Sequence, residues 1–360
     1  MLDETGSPIA IDARREARRA GLTYVSTQTP GIARRRAGKG FSYQGPDLQR
    51  IADMEVVRRI RALAVPPAWR DVWICPRPDG HIQAVGYDAL GRKQYRYHPR
   101  FRALREGAKF DHILTFAHAL PRLRARVDAD MRARGLGRDK VLATVVQLLE
   151  TTMIRVGNRA YAEGNKSYGL TTLRGRHVAV EGGALKFHFK GKSGRTWRLG
   201  LRDRRIARIV RACQELPGQH LFQYLDDDGA PQSINSTDIN DYLRRASGED
   251  ITAKDFRTWA GTVLAAEALA ALAPPENLTE AKRSLNQVIQ DVAARLGNTP
   301  TICRKCYVHP EVQKAYLAGE PLLCLDEPAA ANDEGLHPEE VAVLAFLEAR
   351  LTPGKQRRRP

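Results

Sequence analysis

The segment LKFHFKGKSGRTWRLGL, residues 185–201, places a β-strand pattern inside a long stretch of helical sequence. Apolar side chains occupy alternate positions on both sides of a Gly-Lys-Ser-Gly turn. These side chains are Leu185, Phe187, Phe189, Trp197, Leu199 and Leu201. Alternation with a period of two is typical of half-buried strands, and the turn predicts that they pair as a hairpin with Lys192 at its tip.

Helical periodicity flanks the predicted hairpin on both sides. Before it, residues 140–156 (KVLATVVQLLETTMIRV) carry apolar side chains at helical spacing, and we expect Gly157 to end or bend this helix just beyond Arg155. After it, three further helices are predicted. They are at NSTDINDYLRRA (235–246), in the alanine-rich run after 258, and at TEAKRSLNQVIQDVAARLG (279–297).

A different pattern precedes residue 99. Residues 72–99 predict three short strands joined by turns at Pro-Asp-Gly and Leu-Gly-Arg, after a short helical stretch at 53–65. The segment YHPRFRALREG that follows is typical of a linker, with Pro99 as its break. The sequence therefore predicts an α+β protein with a small β-rich N-terminal domain and a larger, mainly helical domain. The predicted parts are a basic, partly flexible segment at 1–40, the β-rich domain at 41–99, the helical domain at 100–326, and an acidic segment with a basic tail at 327–360.

Charge is the unusual feature of the composition. The 360 residues include 58 Lys and Arg against 41 Asp and Glu, a formal net charge of +17 with a pI near 9.9. A surplus of this size points to a polyanionic partner, and to nucleic acid before membrane. The alternative is an arginine-rich proteome, in which the charge would say little about partners.

Cysteine usage and the N-terminus indicate a reducing compartment. The five cysteines are odd in number and scattered, which is unlike a secreted disulfide framework. The first twenty residues lack the apolar core of a signal peptide, and the longest apolar run, at 258–275, is interrupted by Glu267 and too short to span a bilayer. We therefore expect a cytoplasmic, nucleoid-associated protein that does not enter a membrane.

Two of the cysteines, Cys303 and Cys306, form a C-x-x-C pair directly before Tyr307. A structural zinc site needs four ligands, and His309 and the distant Cys324 are the other candidates in this part of the sequence. A redox pair would lie at a strand-to-helix turn in a βαβ unit, which the sequence does not predict. Two incidental, half-buried cysteines are the better interpretation, and we expect no metal or other cofactor.

Tyr307 is of more interest because cations suited to phosphate chemistry occur elsewhere in the chain. Arg155 lies in MIRVGNRAY, Arg257 in KDFRTWAGT, and Lys192 in the predicted turn. Two forked cations can hold the non-bridging oxygens of a phosphate, and an acid can protonate the leaving oxygen. Tyr307 would then be the nucleophile and form a covalent phospho-enzyme that conserves the bond energy for resealing. Taken singly, each arginine is equally explained as a solvated or DNA-tracking charge.

The ordered motifs IRVG, KGKSG, KDFRTW and LGNTPTICRKCY closely resemble those of the type IB DNA topoisomerases of the small poxviral and bacterial kind. The resemblance runs from about residue 40 to Tyr307, and GRKQYRYHPRF matches the DNA-clamping β domain of that family. It implies a helical catalytic domain of the tyrosine recombinase and topoisomerase IB type, closing with the β domain as a C-shaped clamp around duplex DNA. It also implies a monomer that relaxes supercoils by nicking one strand through a 3′-phosphotyrosyl link, rotation and religation, without ATP or metal.

The resemblance further implies roles for individual residues. Tyr307 is the nucleophile, Arg155 and Arg257 bind the oxygens of the scissile phosphate, and Lys192 protonates the departing 5′-oxygen. A second set of residues matches family positions that contact DNA. They are Gln94, Tyr95, Tyr97, Tyr161 and Lys254.

Asn298 departs from the family pattern, because many members have histidine at this position, nine residues before the tyrosine. An asparagine amide can still donate a hydrogen bond to a phosphate oxygen, but it cannot be cationic or shuttle a proton. We therefore expect Asn298 to keep a phosphate-binding role, and we predict a competent enzyme whose chemistry does not depend on a histidine there.

Two other functions fit part of the sequence. A tyrosine recombinase shares the catalytic core, but such enzymes usually show H-x-x-R where this chain has KDFR (254–257), and they tend to have a helical N-terminal domain. A non-enzymatic architectural DNA binder fits the positive charge, with Tyr95 and Tyr97 as ordinary strand aromatics. It leaves the set of two arginines, a lysine and a tyrosine unexplained.

Overall fold

The computed structural model describes residues 8–38, 40–89, 91–323 and 335–351. By the contacts of its backbone, the chain forms two compact units that divide between residues 109 and 110. The first unit is built around a sheet, and the second is mainly helical. Helices and antiparallel sheets in one chain confirm the α+β class.

The first unit contains a five-stranded antiparallel sheet in the order β2-β1-β3-β4-β5. Its strands are β1 (Ile32–Ala37), β2 (Gly40–Gln44), β3 (Arg70–Ile74), β4 (Ile82–Tyr87) and β5 (Lys93–Tyr97). The three strands predicted between 72 and 99 are confirmed as β3, β4 and β5. The sequence did not predict β1 and β2, which extend the sheet on the other side of β3.

Two helices accompany the sheet, α1 (Pro8–Arg19) and α2 (Met54–Ala62). The side chain of Asp53 caps α2 by accepting a hydrogen bond from the backbone N–H of Glu55 at 2.8 Å. Ile60 of α2 is buried in one apolar cluster with Ile32, Val72 and Ile74 of the sheet. Burial of this helix face against the sheet confirms the short helix predicted at 53–65.

Helix α3 (Pro99–Asp111) occupies the segment predicted to be a linker, and that prediction is wrong. Proline suits the first turn of a helix because its missing N–H would have no partner there. Phe101 is 1% exposed and packs with Ala17 and Leu22. The segment therefore belongs to an apolar core rather than to a solvated connection.

The second unit is built from helices around one continuous apolar core. Its helices are α4 (Ile113–Arg132), α5 (Arg138–Thr152), α6 (Arg159–Asn165), α7 (Arg204–Glu215), α8 (Ser236–Ser247), α9 (Ala253–Ala270), α10 (Leu278–Leu296), α11 (Pro300–Cys306), α12 (Pro310–Leu317) and α13 (Pro338–Leu351). Its strands are β6 (Val178–Glu181), β7 (Ala184–Lys190), β8 (Thr196–Arg202), β9 (Gln223–Leu225) and β10 (Pro231–Ser233). Strands β6, β7 and β8 form an antiparallel sheet, and β9 pairs with β10.

Helix α13 lies where the sequence predicted an acidic segment followed by a basic tail. Its Val343, Leu344 and Leu347 side chains are buried in the core of the second unit. Residues 324–334 and 352–360, which hold Cys324, much of the predicted acidic segment and the basic tail, lie outside the described residues. Within the described ranges, no helix is long and apolar enough to cross a membrane.

The ends of α9 and α10 are fixed by capping residues. Asp255 accepts a hydrogen bond from the backbone N–H of Thr252 at 2.7 Å, which closes a capping box at the start of α9. Asn277 caps the start of α10, and Gly297 ends that helix with a φ of +65°, a conformation that favours glycine. These two helices carry or contact most of the site described below.

Candidate active site

Arg155 lies in a short non-helical segment after α5, not on the helix as the sequence predicted. Helix α5 ends at Thr152, because Met153 adopts the left-handed region with a φ of +56°. The segment is held by two backbone hydrogen bonds, from the Leu170 N–H to the Arg155 carbonyl at 2.9 Å and from the Thr171 N–H to the Val156 carbonyl at 2.7 Å. These bonds fix the backbone from which the Arg155 side chain extends.

Arg257 is a buried arginine on α9, with 3% of its surface exposed. Its Nη1 donates to the carbonyl of Met153, and its Nη2 donates to the carbonyl of Leu296 at 2.5 Å. Within the described residues, its Nε makes no hydrogen bond of good geometry. Burial, together with the charge of Arg155, lowers the pKa of Arg257 to about 10, so the side chain stays charged at neutral pH.

Tyr307 follows the last residue of α11 and is half-buried beside Arg257. The guanidinium carbon of Arg257 lies 5.1 Å from the centre of the tyrosine ring. Burial acts to raise the pKa of the Tyr307 phenol, but the charges of Arg257 and Arg155 outweigh it, so the pKa is lower than usual. A lowered pKa makes the phenolate, the nucleophilic form, easier to reach.

The backbone of Tyr307 is held against α9 at two neighbouring positions. The hydroxyl of Thr262 donates to the Tyr307 carbonyl at 3.2 Å. Gly261 passes so close that an added Cβ would lie 2.6 Å from the same carbonyl oxygen. Glycine is therefore required at 261 for α9 to approach Tyr307 this closely.

Asn298 lies beside Arg155. Its amide oxygen accepts a hydrogen bond from Nη2 of Arg155, and Nη1 of Arg155 also donates to the Gly297 carbonyl at 3.4 Å. Because arginine cannot accept a hydrogen bond, this contact assigns the oxygen of the amide to the Arg155 side. The Nδ2 of Asn298 is buried and has no partner among the described residues, so its N–H groups can still donate to a ligand.

Lys192 is exposed in the turn between β7 and β8. It lines a cavity of about 320 Å³ together with Arg155, Tyr168 and Trp197. Trp197 packs against Gly297, where an added Cβ would lie 2.6 Å from the indole ring. Strand β8 and its turn are thereby held beside the end of α10. The structure thus brings Arg155, Arg257, Asn298 and Tyr307 together and places Lys192 at a cavity shared with Arg155.

Cys303 of the C-x-x-C pair and the nearby His309 are buried in the second unit. Cys303 is buried, and burial raises the pKa of its thiol to about 11. His309 caps α12, since its Nδ1 accepts a hydrogen bond from the backbone N–H of Glu311 at 3.1 Å. Burial lowers the pKa of His309 to about 4. Across the described part of the chain, no three His, Cys, Asp or Glu side chains come together as ligands for a metal ion.

The residues predicted to contact DNA lie in both units. Tyr95 and Tyr97 are on β5 of the first unit, with their rings stacked at 5.8 Å and 41% of Tyr95 exposed. Gln94 donates from its amide to Asp88 at 2.9 Å. In the second unit, Lys254 is exposed in the first turn of α9. The fifth predicted contact, Tyr161, lies outside the residues whose side chains are described.

Sequence reasoning missed Gly261, Thr262 and Trp197 as residues that hold the site in place. For Gly261 a signal was present, because it follows Arg257 by four positions and therefore lies on the same face of α9. A glycine in the interior of a long helix usually marks a close packing contact. Trp197 was assigned to the buried face of a strand, and its neighbour Gly297 is distant in sequence.

Comparison with known proteins gives two family matches. Residues 98–318 match the family described as "Eukaryotic DNA topoisomerase I, catalytic core", and residues 40–88 match "Bacterial DNA topoisomerase IB, N-terminal domain". The chain is 32% identical to "DNA topoisomerase 1B" of Acanthamoeba polyphaga mimivirus over 285 residues. The aligned region covers 77% of this chain and 85% of that protein. It is 24% identical to "DNA topoisomerase 1B" of Vaccinia virus (strain Copenhagen) over 229 residues, and that aligned region covers 62% of this chain and 69% of that protein.

Proposed function

The chain belongs to the type IB DNA topoisomerases, and from that membership we propose how its own residues break and rejoin a DNA strand. The family acts on DNA and changes its topology. Both the matched catalytic core and the names of the relatives favour this activity over that of a tyrosine recombinase. The observation that carries the proposal is the position of Tyr307 beside two arginines that lower the pKa of its phenol.

In the cleavage step, the Tyr307 oxygen attacks the scissile phosphorus and loses its proton to water, while the bond from phosphorus to the 5′-oxygen breaks. The product is a 3′-phosphotyrosyl bond and a strand end with a 5′-hydroxyl. Lys192 supplies the proton that the 5′-oxygen needs, because an ammonium group in an exposed turn can reach a DNA strand at the surface. In religation the 5′-hydroxyl attacks the phosphotyrosine, and both protons return.

Arg155, Arg257 and Asn298 stabilise the charge that builds on the non-bridging oxygens. Each guanidinium has five N–H donors, and the backbone contacts of Arg155 and Arg257 leave several of them for a phosphate. The Nδ2 of Asn298 adds a neutral donor. Donors fixed in a partly buried site favour the transition state because they need little reorganisation during the reaction.

The proposal extends to finer features of the fold and to the contacts with DNA. We propose that the second unit has the arrangement of the tyrosine recombinase and topoisomerase IB class, with Lys192 as the catalytic lysine of the β7–β8 pair. We also propose that Gln94, Tyr95, Tyr97, Tyr161 and Lys254 contact DNA outside the reacting phosphate. We further propose that the protein acts as a monomer at the nucleoid of a bacterial cytoplasm. Its net charge of +17 supports the binding of duplex DNA.

Covalent trapping tests the proposal directly. Wild-type protein should relax a supercoiled plasmid in EDTA without ATP, and denaturation during the reaction should leave DNA attached to the protein through the 3′ end. Tyr307→Phe should bind the same DNA and leave no attached strand. An adduct with Tyr307→Phe, or relaxation that requires two paired sites, would contradict the proposal.

A further inference from the structure

A buried carboxylate on α13 connects several helices of the second unit. Glu340 lies in the first turn of α13 and is 6% exposed. Its oxygens accept two hydrogen bonds from Arg124 of α4, at 2.7 and 3.0 Å, and one from the indole N–H of Trp259 of α9, at 2.9 Å. The backbone N–H of His337 donates a fourth, at 2.9 Å.

Arg124 extends this network to α5. Its guanidinium also contacts Glu150 of α5 at 2.6 Å and donates to the carbonyl of Gly335 at 2.5 Å. Burial acts to raise the pKa of Glu340, but the hydrogen bonds and charge of Arg124 outweigh it, and the pKa is lowered. The carboxylate is therefore ionised at neutral pH, which a buried acid requires if it is to hold a charged partner.

The network reaches the two backbone segments that determine where Arg257 lies. Trp259 is two residues after Arg257 on α9, so the two side chains leave the helix on different sides. Trp259 contacts Glu340, while Arg257 faces Tyr307. Glu150 is three residues before Met153, the residue whose carbonyl accepts a hydrogen bond from Arg257. Through Arg124, Glu340 thus links α9, the helix that carries Arg257, to the end of α5, where the Met153 carbonyl accepts a hydrogen bond from Arg257.

Helix α13 lies beyond the residues that match the catalytic core, since that match ends at residue 318 and the helix begins at Pro338. It packs on α4 and α9, and the burial of its Val343, Leu344 and Leu347 in the core also holds it in place. A buried ion pair is often no more stabilising than apolar residues of similar volume. A buried Glu340 can therefore have a role other than stability.

We propose that Glu340 is a positioning residue for Arg257, which through Trp259 holds α9 where Arg257 contacts both Met153 and Tyr307. The inference rests on the proposed roles of Arg257 and Tyr307 and extends them to a helix outside the matched catalytic core.

Two variants test the link from its two ends. Trp259→Phe removes the indole donor and keeps an aromatic ring, although a smaller one, and Glu340→Gln keeps the shape of the side chain and removes its charge. Glu339→Gln makes the same charge change one position earlier on α13, where no hydrogen bond or ion pair is made by the side chain in the described structure, and serves as the matched control. Single-turnover rates of adduct formation on a short DNA substrate should be measured from pH 6 to 10, with melting temperatures alongside.

We expect both variants to form the adduct about tenfold more slowly, because small displacements of a catalytic group cost one to two orders of magnitude in rate. We also expect the pH midpoint of cleavage to rise. The groups that act on the Tyr307 phenol are Arg257 and Arg155, which lower its pKa, and Cys306, which raises it, so movement of Arg257 away from the ring weakens the largest lowering contribution. Glu339→Gln should retain the wild-type rate and midpoint.

A structural role alone gives a different result. If Trp259→Phe melts at a lower temperature but cleaves with the wild-type rate and pH midpoint where it is folded, the proposal is wrong, whether or not Glu340→Gln folds. Failure of the proposed function is seen separately, because it requires that the wild-type protein form no adduct or that Tyr307→Phe form one.

Discussion

The amide oxygen of Asn298 accepts a hydrogen bond from Arg155, and this contact determines which end of the amide stays free to donate. If Nδ2 donates to the phosphate, Asn298→Ala should slow single-turnover cleavage by about 10²-fold. Asn298→Asp should be at least as slow, because it keeps an oxygen for Arg155 and loses the donor. Rates of adduct formation under single-turnover conditions measure both effects.

A histidine provides the positive control for this position. Asn298→His keeps one nitrogen that accepts and one that donates when the ring is neutral. We expect its cleavage rate to stay within about tenfold of wild type. If Asn298→Asp cleaves DNA at the wild-type rate, the N–H groups of Asn298 have no role in cleavage.

Gly261 determines how closely α9 approaches Tyr307, the proposed nucleophile. An alanine in the interior of a helix normally stabilises it by about 1 kcal/mol relative to glycine. At 261 the added methyl group would lie 2.6 Å from the Tyr307 carbonyl, so the tyrosine backbone must shift. We expect Gly261→Ala to slow adduct formation by about 10²-fold.

Gly164, on α6, has open space around the position of an added Cβ and provides the matched control. Gly164→Ala should retain the wild-type rate of adduct formation. Equal rates for Gly261→Ala and wild type would mean that the close approach at 261 is not needed for catalysis.

Trp197 holds the turn that carries Lys192 against the end of α10. Trp197→Ala should slow cleavage by about tenfold or more, because Lys192, the proposed general acid, loses its support. A substrate with sulfur in place of the 5′-bridging oxygen leaves as a thiolate, whose conjugate acid has a pKa of roughly 8.5, and needs little protonation. We therefore expect this substrate to restore the rate for both Trp197→Ala and Lys192→Ala. A defect in Trp197→Ala that persists on the sulfur substrate would place its effect elsewhere.

His309 makes stability depend on pH. Burial lowers its pKa to about 4, whereas an unfolded histidine titrates near 6.5. Between these values the unfolded state binds more protons than the folded state, so stability falls as the pH falls. The urea concentration at the midpoint of unfolding of the second unit should decrease from pH 7 to pH 5.

His309→Asn should reduce this pH dependence, because asparagine also caps helices and does not titrate in this range. His177, whose pKa burial also lowers to about 4, should account for part of the remaining dependence. A midpoint that falls as steeply in His309→Asn as in the wild type would assign the pH dependence to other groups.

The sequence predicted the helices and strands with strong periodicity. It missed those that form because of contacts with distant parts of the chain. Helix α2 and strands β7 and β8 follow from local alternation or helical spacing. Helix α3 was missed because Pro99 was interpreted as a break, although proline also starts helices. Strand β1, with the sequence IARRRA, carries three consecutive arginines and becomes a strand only by pairing with β2 and β3.

The candidate site was predictable in its residue types but not in its connections. Motif order identified Arg155, Arg257, Lys192 and Tyr307. It could not show that Arg155 leaves helix α5, because that change depends on the left-handed conformation of Met153, a residue type that rarely adopts it. The contact of Trp197 with Gly297 spans a hundred residues of sequence, and single-sequence patterns do not report pairs at such separation.

The end of α10 explains how two arginines can lie close together and still be available to a substrate. The carbonyls of Leu296 and Gly297, at the partly negative end of that helix, act as an uncharged backbone counter-ion for Arg257 and Arg155. Carbonyls cannot be protonated in the physiological range, so this support does not vary with pH. They also bind a guanidinium more weakly than a carboxylate would. In the proposed reaction, a phosphate diester could therefore bind both arginines without first displacing an acid, and the carbonyls would bind them again after the strand is resealed.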